Sequence, residues 1–104
     1  MDEFLSFLGL AVKSGNVIFG SYACEAGIKN GKIKLLVVDG SASDNTKKKF
    51  ADSCRFYNIE IVMLESSGLL GEKLGKPEKK VIGIASAGFA KAALKKYLTI
   101  SGGE

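Results

Sequence analysis

Residues 32–39 read KIKLLVVD, with Leu35, Leu36, Val37 and Val38 in an unbroken apolar run. Successive side chains of a β-strand point to opposite faces, so such a run needs apolar cover on both sides. This segment is predicted to be a central strand with helices above and below it, and the rest of the chain is read outward from it.

Upstream, Val17, Ile18 and Phe19 form a short strand that meets Gly20. A helical run follows to Asn30, with Ser21 expected as its N-cap and Gly31 as its stop. Before that, residues 3–13 (EFLSFLGLAVK) place Phe4, Phe7, Leu8 and Ala11 on one face of a first helix, which Gly15 caps. Downstream, the loop GSASDNT (40–46) leads to a helix over about 44–57 with Phe50, Cys54 and Tyr57 on one face, closed by Asn58. IEIVML (59–64) is a strand, and SSGLLGEKLG (66–75) is a short helix capped by a serine. A loop from Lys76 to Lys80 holds Pro77, and VIGIAS (81–86) is the last strand. The final helix (87–98) turns Phe89, Ala93 and Leu94 inward and Lys91, Lys95 and Lys96 outward, and the tail 99–104 is expected to fray. Helices alternate with strands throughout. The expected fold is therefore a single α/β domain over 1–104, a three-layer α/β/α sandwich with a central mixed sheet of about four strands. Short crossovers lead us to expect mostly parallel pairings.

Composition narrows the function. A chain of 104 residues can bury a core without staples. It has no apolar run of membrane-spanning length, and the acidic start MDEFLSF is unlike a signal peptide, so the cytoplasm is the expected compartment. The net charge of +4 favours nucleic acid or acidic surfaces as partners, although a solvated lysine-rich surface fits the same count. Arg55 is the only arginine, which leaves little capacity for bidentate forks. There is no histidine, so histidine-based nucleophilic catalysis and Cys/His zinc sites are excluded. Cys24 and Cys54 lack CxxC spacing and read as small buried hydrophobes. GLLGEKLGKP (68–77) fails as a phosphate loop because Leu70 stands where a glycine is needed and Pro77 where Ser or Thr is needed. Lys47, Lys48 and Lys49 span about 200° of a helix, which favours a solvated face over a single phosphate-binding stripe. No enzymatic activity, metal, cofactor, membrane or small-molecule substrate is expected.

Three segments carry a family resemblance: LGLAVKSGNVIFG (8–20), NGKIKLLVVDGSASDNTKKKF (30–50) and VIGIASAGFAKAAL (81–94). In order and spacing they resemble the L-seven-Ae/L-thirty-e ribosomal protein superfamily, closest to its small bacterial YlxQ-like branch. The resemblance implies the α/β/α sandwich, a non-enzymatic role in RNA binding around the ribosome, and a site at the strand–Gly–helix junction. There the family reads a kink-turn, a sharply bent stem with sheared G·A pairs. Its motif is glycine, a small residue, Asn or Lys, Glu or Gln, two variable positions, then Lys or Arg. The physics is legible, since helix N-termini offer N–H groups to phosphates while carboxylate and cation read base edges. A kink-turn opens the groove that A-form RNA closes to side chains.

Carried over by position, the motif falls on Gly20, Ser21, Tyr22, Ala23 and Ala26. The backbone part survives and the three base-reading side chains are replaced. Tyr22 can stack on a splayed base or pack beside Phe19, and both readings stay open. Lys13, Lys29 and Lys32 are expected to flank the same edge, and Lys79 and Lys80 match the family's second RNA-contacting loop. Two functions follow. One is binding of structured RNA, ribosomal or kink-turn-like, with relaxed or altered specificity, alongside the ribosome or translation-related proteins. The other is a protein-interaction adaptor with RNA binding lost, using an apolar surface at Ala23, Cys24 and Ala26.

Overall fold

The architecture follows from a computed structural model that describes residues 2–65 and 69–102. In chain order its elements are α1 (Asp2–Lys13), β1 (Val17–Phe19), α2 (Ser21–Lys29), β2 (Leu35–Val38), α3 (Asp44–Tyr57), β3 (Glu60–Met63), α4 (Leu69–Lys73), β4 (Val81–Ile84) and α5 (Ala87–Gly102). The four strands form one mixed sheet in the order β1-β4-β2-β3. The serine expected to cap α4 lies outside the described residues. Helix α5 continues to Gly102, past the stop expected at Leu98. None of the described helices is long and apolar enough to cross a membrane.

The apolar run of β2 does what its pattern requires. Leu35 and Val37 point to one side and join Phe4, Leu8, Leu70 and Ala93 from α1, α4 and α5. Leu36 and Val38 point to the other and join Cys24, Ile28, Phe50 and Cys54 from α2 and α3. Two apolar layers thus sandwich the sheet, as expected.

The expectation of mostly parallel pairing is corrected. Only β2 and β3 pair parallel; β4 runs antiparallel to both β1 and β2. The connection before β4, residues 64–80, carries among its described residues no helix long enough to run back along the sheet. Helix α4 has five residues and rises about 7.5 Å, too little to carry the chain back along a strand of about 13 Å. The chain therefore enters β4 from the end at which β3 leaves. Close packing there depends on Gly71, whose absent Cβ would meet Lys79 O at 2.6 Å and also Lys76 O.

Candidate functional site

Because β4 runs backwards, its start lies beside the ends of the other strands. Gly20 N donates to Val81 O at 2.8 Å, Asp39 N donates to Lys80 O at 2.8 Å, and Leu64 N donates to Val38 O at 2.9 Å. The β1–α2 junction, the loop 39–43 and the loop 76–80 therefore meet at one end of the sheet. They enclose a cleft of about 350 Å³. Gly20, Ser21, Lys79 and Lys80 line it, as do Ala42, Ser43, Thr46 and Glu78, which sequence reasoning had not singled out.

Gly20 has φ 95° and ψ 155°, a conformation essentially reserved for glycine. Its missing Cβ would lie 3.4 Å from Lys79 Nζ, so the bare backbone lets the lysine close in on the junction. The turn also moves the helix cap. Gly20, not Ser21, is the N-cap of α2, and Ser21 is its first helical residue. No side chain caps this helix, so its first-turn N–H groups are left for another acceptor. Helix α3, which opens on the same cleft, differs: Ser43 Oγ accepts from Thr46 N at 3.1 Å.

Asp39 holds the cleft's wall. Its buried carboxylate accepts from Ser41 N at 2.9 Å, from Ser41 Oγ at 2.5 Å and from Leu70 N at 3.1 Å. It thereby ties the loop 39–43 to the start of α4. The sequence signal was an acid ending an apolar strand just before Gly40 and Ser41, a combination that favours a side chain-closed turn.

Along α2, Tyr22, Ala23 and Ala26 are exposed. Tyr22 is 89% exposed and does not pack beside Phe19. Phe19 instead joins the core on the α1/α5 side, with Lys76 Nζ 5.6 Å from its ring centroid. Tyr22, Ala26 and Lys29 line one groove on the outer face of the helix, together with Glu25. Glu25 pairs with Lys49 of α3 at 3.1 Å, and Lys48 pairs with Asp52 at 3.3 Å, so the lysine triplet divides between directions. Cys24 points inward and is fully buried. The apolar surface expected from Ala23, Cys24 and Ala26 is thus reduced to the two alanines. Burial pushes the Cys24 thiol up to about 12, with nearby Cys54 adding to it, and burial lifts Cys54 to about 11.

The remaining lysines do not all gather here. Lys13 and Lys32 lie at the opposite end of the sheet, where Ala85 N donates to Asn16 O and Lys34 N donates to Ile84 O. Lys29 ends α2, about 12 Å along the helix axis from Ser21. The expectation that Lys13 and Lys32 flank the same edge as Tyr22 is corrected, whereas Lys29 does share a groove with Tyr22 and Ala26, away from Gly20. A helix as short as α2 still carries its last residue away from the strand end at which it starts. Lys79 and Lys80 are the cations placed beside the junction.

Comparison with known proteins fits this geometry. A sequence profile of the ribosomal protein L7Ae/L30e/S12e/Gadd45 family matches residues 2–94. The RNA-binding protein YlxQ of Enterococcus faecium is 39% identical over 87 residues, covering 84% of this chain and 84% of that protein. The RNA-binding protein YlxQ of Bacillus subtilis (strain 168) is 34% identical over 88 residues, covering 85% and 88%. A solved structure of a protein with unknown function from Bacillus halodurans C superposes with a TM-score of 0.83 at 33% identity, over 88% of this chain and 93% of that one.

Proposed function

We propose, from the premise that this chain belongs to the ribosomal protein L7Ae/L30e/S12e/Gadd45 family, that it binds structured RNA at the Gly20–Ser21 end of its sheet. The activity is binding without catalysis, in the cytoplasm, on ribosomal or kink-turn-like RNA and beside the proteins of translation. The observation that carries this reading is the junction itself: a glycine-only turn, an uncapped helix start, and Lys79 close against it. Backbone N–H groups and two lysines suit phosphates. Tyr22 stands clear of the core and offers a ring for an unpaired base.

Ala23 and Ala26 present no donor or acceptor where the family motif places base-reading groups. Discrimination between RNAs is therefore weaker than that of a family member with the full motif, and affinity depends more on phosphates. Titration of a fluorescent kink-turn RNA, with a control in which the G·A pairs are changed, tests this at low and physiological salt. The expected outcome is comparable binding to both RNAs that falls steeply as salt rises. A strong preference for the intact kink-turn would show that backbone and Tyr22 suffice for recognition. No binding to either RNA at low salt would leave the adaptor reading, which the two exposed alanines favour.

A further inference from the structure

The end of the sheet opposite Gly20 carries a second basic face built around the last turn of α3. Phe56 is 81% exposed and Tyr57 40%, and their rings meet edge to face with centroids 4.9 Å apart. Tyr57 forms one wall of a groove of about 300 Å³ whose apolar sides are Ile28, Ile33 and Ile59. Lys29 and Lys34 stand on its rim, and Lys34 Nζ is steadied by donating to Gly31 O at 3.0 Å. No carboxylate is among the described residues that line it. Arg55, the chain's only arginine, directly precedes the aromatic pair and is largely exposed, 3.6 Å from Asp52.

We infer that this face binds single-stranded RNA, with a base stacked on Phe56, a second against Tyr57 in the groove, and the intervening phosphates held by Lys29 and Lys34. The inference rests on the RNA-binding reading above and adds a second contact surface to it. Charge decides the occupant. A second copy of the chain meeting this face symmetrically would set Lys29 and Lys34 against themselves across a groove that no carboxylate among the described residues lines. Of the acids around it, Glu25 is paired with Lys49 and Asp52 with Lys48 and Arg55, and Glu60 lines a neighbouring groove with Lys34. An anionic partner is complementary. Phe56 offers an open ring face rather than a pocket, which matches the sequence-tolerant stacking of nucleobases on aromatic platforms. The molecule extends 31 Å along its longest axis, so one RNA reaching both ends would present a structured part to the junction and a single-stranded flank to Phe56.

The test follows backbone amide resonances of the full chain during titration with hexa-adenylate and, separately, with the kink-turn RNA. Hexa-adenylate is expected to shift resonances of residues 29–34 and 55–59. Phe56→Ala is expected to weaken it about tenfold while Phe56→Trp restores it. Both substitutions sit on an exposed ring, and the amide spectrum reports whether the fold is kept. Kink-turn affinity is expected to stay within about twofold of the unchanged chain in both variants. Hexa-adenylate shifts confined to Gly20–Ala23 and Lys79–Lys80 would overturn this inference and leave the proposed function standing. Silence of every resonance with both RNAs would overturn both. Equal shifts at residues 55–59 with hexaglutamate, unchanged by Phe56→Ala, would overturn the inference in favour of an unspecific anion surface.

Discussion

In the proposed placement of the family motif, position 23 takes the place of a carboxylate or amide, and the chain supplies a methyl group. The same replacement of a hydrogen-bonding group recurs at Ala26, while Tyr22 substitutes an aromatic phenol. All three are exposed on α2, so restoring polar groups there does not disturb the core. The triple change Tyr22→Asn, Ala23→Glu and Ala26→Lys is expected to raise the preference for an intact kink-turn over its G·A-altered control by at least about tenfold, since a good bidentate base contact contributes roughly 1–3 kcal/mol. Competitive titration of the two RNAs checks it. An unchanged ratio would mean that base edges do not reach these positions. At this scale the sequence revealed Gly20 through its neighbours, a strand before and a helix after. It did not reveal that Gly20 takes the cap from Ser21, because that depends on a φ of 95° that pairing with β4 imposes. Asp39 escaped notice for a related reason. Its turn with Ser41 has a local signal, but its bond to Leu70, 31 positions away, has none.

Between α2 and α3 the packing is made by small and apolar groups, and both cysteines belong to it. Their thiols are held neutral in the fold, at about 12 and about 11 against an ordinary 9.0. The sign follows directly. Above pH 9 the unfolded chain releases these protons while the folded chain keeps them, so the folded state loses stability as pH climbs from 9 toward 11–12. Urea denaturation midpoints are expected to fall over that window, and to fall less in a Cys24→Ala, Cys54→Ala double variant. The comparison isolates the contribution of the two thiols. Equal slopes in the two proteins would show that the thiols are not buried in the fold. Below pH 9 the same burial is expected to make both cysteines slow to alkylate unless the chain is first unfolded. The elements themselves were legible in the sequence, because β2 has an unbroken apolar run and α1 and α3 have helical spacing. Strand lengths were overestimated at β2, β3 and β4, since apolar residues beyond the ladder, Ile33 among them, still pack into the core.

The whole molecule depends on one reversal that periodicity could not show. Strand patterns record which residues are buried but not which way a strand runs, and β4 enters from the end where β3 leaves after a connection whose helix α4 is five residues long. That reversal brings Lys79 and Lys80 to Gly20 and leaves Lys13 and Lys32 at the far end. Net charge alone treats these lysines as equivalent, whereas the topology separates them, and the salt dependence of RNA affinity can tell them apart. Each lysine that neutralises a phosphate contributes about one unit, or somewhat less on single strands, to the slope of log affinity against log salt. Lys79→Gln with Lys80→Gln is therefore expected to reduce that slope by between one and two for a structured stem, and Lys13→Gln to leave it unchanged. Fluorescence titration of one stem RNA at several salt concentrations measures both. If Lys13→Gln lowered the slope as much as either loop lysine, the stem would be lying along the opposite end of the sheet, and Gly20 would be only a turn in the fold.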